Sequence, residues 1–359
     1  MRILKKKKIK SKIKSKKREW LKALFIAFFI LLFLRFFAFQ TFTINNSTME
    51  STLFPGDFIL VNKLSYGSRS PITLLSIPFF GNNLPFTSTK SYSSLIQLPY
   101  FRFPGFGNID RNDLICFNYP SEKQEPIDKK NILIKRCVGL PGDTLAIIDK
   151  KIFVNRTIIE NAEDCKYHYR IQFQETISPD FLEKHSINEG GQTENLNEYD
   201  FFITNYQCSL IEKDSLVVSV NLMKVRKGEK DTPYFPQSNL YNWSLDHFGP
   251  IVIPTMDLTI KIDLKNIDIY KTAIENYEEN SIEIKNDTIF INDTIANYYT
   301  FKLNYFFVMD DNRDNGKDSR YWGFLPENHI IGKASFIWFS FGKYQNSTLV
   351  RWNRIFKLI

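Results

Sequence analysis

The sequence predicts a mainly β protein, in which a single N-terminal transmembrane helix is followed by an antiparallel β domain with a large inserted β-rich region. The first observation is an unbroken apolar run from Ala23 to Leu34, within a segment of about 20 residues, which is enough to cross a hydrocarbon core as a helix. The second is a series of short β-rich runs after residue 40, separated by Pro-Gly-Asp or Asn-rich turns. The composition, with 43% hydrophobic and 24% charged residues, excludes a disordered chain, a collagen and a polytopic membrane protein.

Residues 1–18 are predicted to be a basic tail and residues 19–40 an uncleaved membrane anchor. Lys22 and Arg35 lie near the two ends of the apolar segment, where long side chains can reach the interface. The alternative is a cleaved signal peptide, which also combines a basic start with an apolar core. The apolar run is long for a signal peptide, and the bulky residues 39–42 offer no small-x-small cleavage site. Because basic flanks stay in the cytoplasm, the tail is predicted to be cytoplasmic and everything after residue 40 to lie outside.

The net charge of +8 comes from this tail. Of the 47 Lys and Arg residues in the chain, eleven lie between Met1 and Arg18, where there is no acidic residue. The remainder of the chain carries 36 basic against 39 acidic residues. A basic surface that binds nucleic acid is therefore not predicted, and no nucleic-acid partner is expected.

The part outside the membrane is predicted to contain a core in two segments, residues 41–159 and 298–359, separated by an inserted region, residues 160–297. Within the insertion, residues 160–257 are polar and predict either weak order or a small separate sheet. Residues 68–107 have a surplus of aromatic side chains, which predicts a surface that touches membrane or an apolar partner. The predicted strand segments are Asp57–Val61, Leu114–Phe117, Ile132–Ile134, Thr144–Ile148, Lys151–Val154, Leu258–Tyr270, Ile282–Ile295, Tyr298–Met309 and Ile330–Phe341.

The cysteines and histidines do not follow a metal-binding pattern. Cys116 and Cys137 lie in apolar runs and are predicted to be buried free thiols. Cys165 and Cys208 lie in the polar middle region, where a disulfide between them is an open alternative in an oxidising compartment. The four histidines are scattered, so neither a zinc site nor another cofactor is predicted.

Three segments carry side chains suited to chemistry. Residues 45–57, immediately after the anchor, are crowded with hydroxyl groups from Ser47, Thr48, Ser51 and Thr52. Residues 134–143 place Lys135 in an apolar strand directly before a tight turn, with Arg136 pointing to the opposite face. Residues 310–326 form a charge-dense loop between two predicted strands.

Lys135 has two interpretations. On the buried face of a strand an ammonium loses hydration, so its neutral form is favoured and it can act as a general base. Paired with a hydroxyl nucleophile, such a lysine supports the Ser–Lys variant of acyl-transfer catalysis without a histidine. Alternatively, Lys135 is exposed on an edge strand and only adds solubility, which is the commoner situation for a strand lysine.

The three segments resemble those of the type I signal peptidases, the membrane-anchored serine proteases that remove signal peptides outside the membrane. The resemblance is carried by KRCVGLPGD at residues 135–143 and by DNRDN-x-x-DSRYWGF at residues 311–324. It is supported by RNDLICFNYP at residues 111–120 and HIIGKASFIWFS at residues 329–340. The order of anchor, nucleophile segment, lysine segment and charged loop also agrees. It covers the anchor and about half of the chain, without the middle insertion.

The resemblance implies that Lys135 is the catalytic base and that the nucleophile stands directly before Met49. The family has serine there, whereas this chain has Thr48, which keeps the hydroxyl but adds a methyl group that stiffens χ1 and crowds the attack. Losing near-attack geometry in this way can lower a rate by about a hundredfold. The neighbouring Ser47 is a substitute nucleophile, although a shift of one residue would point its hydroxyl elsewhere.

Four other positions depart from the family pattern. Ser51 replaces a proline, and Asn112 replaces a turn glycine. In the charged loop, Asp310 replaces a glycine, and Gly316 replaces a serine whose hydroxyl orients the lysine. A carboxylate at position 310 close to Lys135 would favour the charged ammonium and weaken it as a base.

The resemblance also implies a set of supporting residues. The backbone N–H of Thr48 and the side-chain amide of Asn46 would form the oxyanion hole. Two ion pairs are expected to hold the charged loop against the lysine strand: Asp311 with Arg136, and Asp318 with Arg320. The residues expected to line the substrate pockets or a membrane-facing patch are Met49, Leu53, Phe54 and Phe58.

The function expected from this resemblance is a membrane-bound endopeptidase that removes N-terminal signal peptides from exported preproteins by a hydroxyl–lysine dyad. Its partners would be these preproteins and the lipid bilayer of the plasma (inner) membrane, which the chain would cross once. The alternative is a catalytically impaired homologue that binds signal peptides or assists a partner peptidase, because Thr48 and Gly316 replace family serines. A third alternative is an anchored β-sandwich with no role in peptide processing, which leaves the lysine segment unexplained.

Overall fold

The structure is a computed structural model that describes residues 2–78, 81–87, 89–162, 165–229, 234–344 and 347–359, with backbone alone for residues 2–15, 343–344 and 347–348. Helix α1 (Arg2–Phe37) begins the chain, and its portion from Lys16 to Phe37 is apolar and long enough to cross a membrane. No residue in the most apolar stretch of this portion is buried in the protein. The basic side chains up to residue 15 lie outside the described part.

The remainder of the described chain is dominated by β-strands. The strands are β1 (Phe39–Thr43), β2 (Asp57–Asn62), β3 (Thr73–Ser76), β4 (Tyr92–Gln97), β5 (Leu114–Asn118), β6 (Ile132–Gly139), β7 (Thr144–Ile148), β8 (Lys151–Val154), β9 (Thr157–Ile159), β10 (Lys166–Phe173), β11 (Gly190–Gln192), β12 (Glu198–Thr204), β13 (Val217–Leu222), β14 (His247–Val252), β15 (Thr259–Lys261), β16 (Ile282–Lys285), β17 (Thr288–Ile291), β18 (Thr294–Ile295), β19 (Tyr298–Thr300), β20 (Tyr305–Met309), β21 (Leu325–Pro326), β22 (Ile330–Tyr344), β23 (Ser347–Val350) and β24 (Lys357–Leu358). The short helices are α2 (Pro179–Lys184), α3 (Asn205–Ile211), α4 (Ile267–Thr272), continued by a π-helical turn (Ala273–Tyr277), and α5 (Ser319–Trp322). Single 3₁₀ turns cover Ile127–Lys129, Glu327–His329 and Trp352–Arg354.

The largest sheet brings the three chemistry-bearing segments together. Its strand order is β1-β2-β22-β5-β6-β20-β21, with β23 and β24 also paired to β22, and the pairings are antiparallel as predicted. The hydroxyl-rich segment connects β1 to β2, the lysine lies on β6, and the charged loop follows β20. Because β6 and β20 are neighbours, the loop that leaves β20 begins directly beside the lysine strand.

Both faces of this sheet are covered, which explains why its central strands are continuously apolar. On one face, Leu114 and Cys116 of β5 pack in a core with Ile134 of β6. On the other face, the alternate residues Ile115 and Phe117 pack in a second core, which also contains Cys137. Side chains alternate between the two faces of a strand, so a run such as β5 has no solvent-facing side.

The middle region forms a small separate sheet, which decides between the two alternatives for residues 160–257. Strands β11, β12, β10 and β13 pair in that order around an apolar core of their own, against which α2 and α3 pack. Cys165 and Cys208 both belong to this core as buried free thiols, so no disulfide joins them. The later strand β14 instead pairs with β7 of the core segment.

The segment Leu258–Tyr270, predicted to be one strand, is only partly extended. It forms the short strand β15 and then turns into α4. The prediction was wrong for the second half of this segment, because the apolar residues there belong to a helical pattern that continues past Tyr270. Ile267, Tyr270, Ile274 and Tyr277 recur at helical intervals and are all buried on one face.

The anchor is joined tightly to the main sheet. Helix α1 ends at Phe37, and β1 already begins at Phe39, so the last residues of the predicted anchor are strand. The ammonium group of Lys63, at the far end of β2, donates to the carbonyl of Arg35 at 2.8 Å and to that of Phe36 at 3.3 Å. These carbonyls belong to the last turn of the helix, where no intrahelical donor is present. The ring of Phe103, in the aromatic-rich segment, packs edge-on against Phe37.

Candidate active site

Lys135 is buried in the main sheet and is only 3% exposed. Its strand is paired with β5 from Ile132 to Arg136, where Ile115 stands opposite the lysine. The nearby residues Ile134 and Cys137 belong to the two apolar cores of the sheet. The interpretation of Lys135 as a solvated edge-strand residue is therefore excluded.

Thr48 lies in a series of turns between β1 and β2 that is tied to the charged loop. Its carbonyl accepts a hydrogen bond from the backbone N–H of Asn312 at 3.0 Å. The following residue, Met49, is buried, and its sulfur accepts from the backbone N–H of Asp311 at 3.4 Å. The Thr48 hydroxyl donates to the side-chain oxygen of Asn46 at 3.2 Å. The candidate nucleophile and the candidate oxyanion residue are thus in contact.

The presence of Ser51 in place of the family proline is matched by the backbone conformation at this position. Its φ is +110°, in the region that favours glycine, and a proline ring would lock φ near −65°. The turn that follows Thr48 therefore has a backbone that the proline of the family pattern could not adopt. The Ser51 hydroxyl is buried and has no hydrogen-bond partner among the described residues.

A cleft of about 870 Å³ brings the candidate nucleophile and base together. One wall consists of the end of β1 and the turn after it, and the opposite wall consists of the first half of β6. The charged loop closes one end with residues 314–317. The predicted site residues that line the cleft are Asn46, Thr48, Met49 and Lys135.

Asp310 makes the closest polar contact of Lys135. The lysine Nζ lies 2.5 Å from Oδ1 and 2.6 Å from Oδ2 of this carboxylate, which is fully buried. Burial raises the pKa of Asp310, with a smaller rise from the neighbouring Asp318, while the charge and hydrogen bonds of Lys135 act in the opposite direction. The carboxylate is therefore in direct contact with the candidate base.

The two predicted ion pairs are both present. Arg136 donates from Nε to Oδ1 of Asp311 at 2.7 Å and from Nη2 to Oδ2 at 2.6 Å. Arg320 contacts Asp318 in the same two-bonded manner, at 2.9 and 2.7 Å, and both side chains are buried. Asp318 also begins α5 and accepts from the backbone N–H of Asp310 at 3.0 Å. The first pair connects β6 to the charged loop, whereas the second lies within the loop and α5 and does not reach the lysine strand.

Four other predicted site residues lie away from the cleft. Leu53 is fully buried in the core of the main sheet, because it lies on the inner side of the turn. Phe54 lies under the guanidinium groups of Arg351 and Arg354. Phe58 joins an exposed aromatic cluster with Trp338 and Phe341, and a membrane-facing role for it stays a prediction. Ser47 points to Glu189.

Two contacts from the small middle sheet and the residue before it were not anticipated from the sequence. Glu189 accepts hydrogen bonds from Ser47 at 3.2 Å, from Asn312 at 2.5 Å and from Asn315. The buried Lys166 of β10 lies 3.4 Å from the carboxylate of Glu50. The sequence gives no signal for either contact, because Glu189 and Lys166 are single polar residues outside the recognised motifs. The middle region thus contacts both the turn that contains Thr48 and the charged loop.

The sequence as a whole matches a known family, described as signal peptidase, peptidase S26, over residues 17–218 and 254–339. The chain belongs to this signal peptidase family. A signal peptidase I of Buchnera aphidicola subsp. Acyrthosiphon pisum is 28% identical over 329 residues, covering 90% of this chain and 76% of that protein. A signal peptidase I of Pseudomonas aeruginosa is 26% identical over 334 residues, covering 90% of this chain and 72% of that protein.

Membership of the signal peptidase family confirms the predicted enzyme class, a serine-type endopeptidase, and the mainly β fold class. The apolar helix before the β domain is consistent with a membrane-anchored protein. The family match continues through residue 218, so only residues 219–253 interrupt it. Among the described residues, no group of His, Cys, Asp or Glu is arranged to hold a metal ion.

Proposed function

We propose that this protein is a membrane-bound endopeptidase that removes N-terminal signal peptides from exported preproteins, with Thr48 as the nucleophile and Lys135 as the base. The observation that carries the proposal is the single cleft lined by both side chains, with the lysine buried and the threonine partly accessible. The names of its relatives, signal peptidase I, indicate the same substrate class.

In the proposed reaction, the neutral amine of Lys135 takes the proton of the Thr48 hydroxyl while Oγ1 attacks the scissile carbonyl. The charge that develops on the carbonyl oxygen is stabilised by the backbone N–H of Thr48 and by the Asn46 side chain. The proton then passes to the leaving amine, and water hydrolyses the ester between Thr48 and the signal peptide. No metal or cofactor is needed for these steps.

The cleft suits a peptide that binds in an extended conformation. Strand β1 lies at the end of the main sheet, where β2 is its only partner among the described residues, so its second edge is free to pair within that part of the chain. On the opposite wall, β20 pairs with β6 only from Arg136 onward, so the edge of Ile132–Ile134 is also open. A substrate strand inserted between these edges would satisfy both and pass Thr48 and Lys135.

The proposed topology places the basic tail in the cytoplasm and the β domain on the outer side of the plasma membrane. The exposed apolar side chains of the aromatic-rich segment, among them Leu74, Leu95, Phe101 and Phe106, would face the bilayer next to the end of the anchor. A signal peptide held by its own apolar helix would then reach the cleft from the membrane side.

The test is cleavage of a labelled preprotein by the full-length protein reconstituted in liposomes. Thr48→Ala and Lys135→Ala are expected to abolish cleavage, and Thr48→Ser to increase kcat/KM because the crowding methyl group is lost. Lys151→Ala, an exposed strand lysine, is the control and should leave cleavage unchanged. If Thr48→Ala cleaves as well as the wild type while Lys135→Ala is inactive, the nucleophile assignment fails.

The second candidate function is that of an impaired homologue that binds signal peptides without cutting them. Two observations favour it: the threonine at the nucleophile position and the carboxylate in contact with the lysine. The same variants separate the candidates. An inert wild type together with an active Thr48→Ser would establish this second function, provided that the wild type binds the labelled preprotein.

A further inference from the structure

Gly316 lies directly against the carboxylate of Asp310. A methyl group added at this glycine would come within 2.6 Å of the Asp310 Cγ and 2.8 Å of its Cβ, closer than unbonded carbon atoms approach. The backbone of Gly316 does not have the left-handed conformation that glycine alone favours. The constraint on this position is therefore the space that Asp310 fills.

We propose that Asp310 is the positioning residue for Lys135, and that Asp310 and Gly316 are a matched pair in which the carboxylate occupies the place of a side chain at position 316. This inference rests on the proposed function. In the sequence pattern that the chain resembles, position 310 is glycine and position 316 is a serine that orients the lysine. Both positions differ in this chain. The glycine at position 316 leaves room for the Asp310 side chain, and the Asp310 carboxylate takes the place of the missing serine side chain.

The geometry supports this role for Asp310. Its two oxygens lie 2.5 and 2.6 Å from the lysine Nζ, so they hold the ammonium group from one side. Its backbone N–H is held in turn by Asp318, which is fixed by Arg320. The carboxylate is therefore anchored on rigid elements, as a group must be if it is to orient another side chain.

The pair also provides a place for the proton that Lys135 must lose before it can act. A proton that moves from the lysine Nζ to an Asp310 oxygen converts the ion pair into a neutral amine and a neutral carboxylic acid. No other reactant is needed, and burial raises the pKa of Asp310, which favours the protonated carboxyl. The amine can then accept the proton of the Thr48 hydroxyl in the same cleft.

The test of the matched pair is a double-mutant cycle on the full-length protein in liposomes. Gly316→Ser alone is expected to lower kcat/KM about a hundredfold, because its side chain displaces the carboxylate and with it the lysine. Asp310→Gly alone is expected to lower kcat/KM by a similar factor. The double variant Asp310→Gly/Gly316→Ser should recover most of the loss. A double variant that is no more active than Gly316→Ser, at equal thermal stability, overturns the proposal.

A pH profile separates positioning from a merely structural role. Asp310→Asn preserves the shape of the side chain but removes its charge, so the ammonium should lose its proton more readily and the acid limb of kcat/KM should move to lower pH. The matched control is Asp200→Asn, which breaks the two-bonded pair with Arg170 in the inserted sheet and should leave the profile unchanged. An unshifted profile for Asp310→Asn overturns the proposal. Full activity of Lys135→Ala would instead refute the proposed function itself.

Discussion

Two ion pairs, one residue apart, join the same strand to the same loop, yet they are chemically different. Lys135 contacts Asp310 and lines the cleft. Arg136, the next residue of β6, contacts Asp311, the next residue of the loop, and lies outside the cleft. The difference in position follows from the alternation of side chains along a strand.

The two basic groups differ in whether they can give up a proton. Burial alone would lower the pKa of Arg136, but the hydrogen bonds and charge of Asp311 outweigh this effect, so its pKa is raised and the pair stays ionic. The Arg136 guanidinium also donates to Thr52 and to the carbonyl of Asn112. An ammonium can transfer a proton to a neighbour, whereas a guanidinium in this setting cannot. Consecutive residues of one strand are thus the proposed base, Lys135, and one half of a permanent ion pair, Arg136 with Asp311, which is called the clamp below.

The largest effect on stability is expected when the clamp is broken. Arg136→Met leaves the fully buried Asp311 without its ionic partner, which should lower the free energy of unfolding by about 3–5 kcal/mol. The measurement is thermal and denaturant unfolding in detergent micelles. Lys135→Met is the matched control and should cost clearly less, because burial already favours the uncharged form of Asp310. Equal losses in the two variants would contradict the distinction between the pairs.

A smaller effect is expected from the hydroxyl that belongs to the clamp. Thr52 donates to Asp311 at 2.6 Å and accepts from Arg136 at 3.1 Å. Thr52→Val removes both bonds at constant shape, which should lower the free energy of unfolding by about 1–3 kcal/mol. Thr52→Ser keeps the hydroxyl and should recover most of this loss. If Thr52→Val is as stable as the wild type, the hydroxyl is not part of the clamp.

His329 is another buried basic group, and its titration is expected to have the smallest of these effects on stability. Burial, followed by the charges of Lys130 and Arg69, lowers its pKa well below the ordinary value of 6.5. The folded protein therefore keeps the imidazole neutral where the unfolded chain takes up a proton. This contribution to stability is complete above pH 6.5 and is lost as the pH falls below it, by at most about 1.4 kcal/mol per pH unit.

The check for His329 is denaturant unfolding at pH 7 and at more acidic values. His329→Gln should flatten the decline of stability between pH 6.5 and 5, since glutamine does not titrate. A decline of the same slope in this variant would assign the pH dependence to other groups.

The sequence predicts the main sheet better than the site. Strands such as β2 and β5 are recognisable because their apolar runs are bounded by clear turns. The burial of Lys135 could not be derived from its strand alone, because a lysine on a paired strand can face solvent or core. The order of the motifs indicated both ion pairs, but the roles of Leu53 and Phe58 depend on which side of one turn faces the core.

The contacts of Glu189 and the fit of Gly316 against Asp310 depend on long-range packing. Residues 189 and 312 are 123 positions apart, and no periodic pattern connects them. Asp310 and Gly316 each stand out in the sequence as separate substitutions. Only their close approach in the structure supports the proposal that the two substitutions form a matched pair.

If the apolar helix crosses the membrane as proposed, the short junction between it and the main sheet fixes the distance from the membrane to the cleft. Only Ala38 separates the helix from β1, and Lys63 holds the helix end against the sheet. The chain reaches the cleft at Phe42 and Thr43, about 20 Å of extended backbone beyond Phe37. The proposed nucleophile and base would therefore stand at a constant height above the bilayer. A passing polypeptide would be cut at a position counted from the end of its own apolar helix, so depth in the membrane acts as a selector alongside side-chain fit.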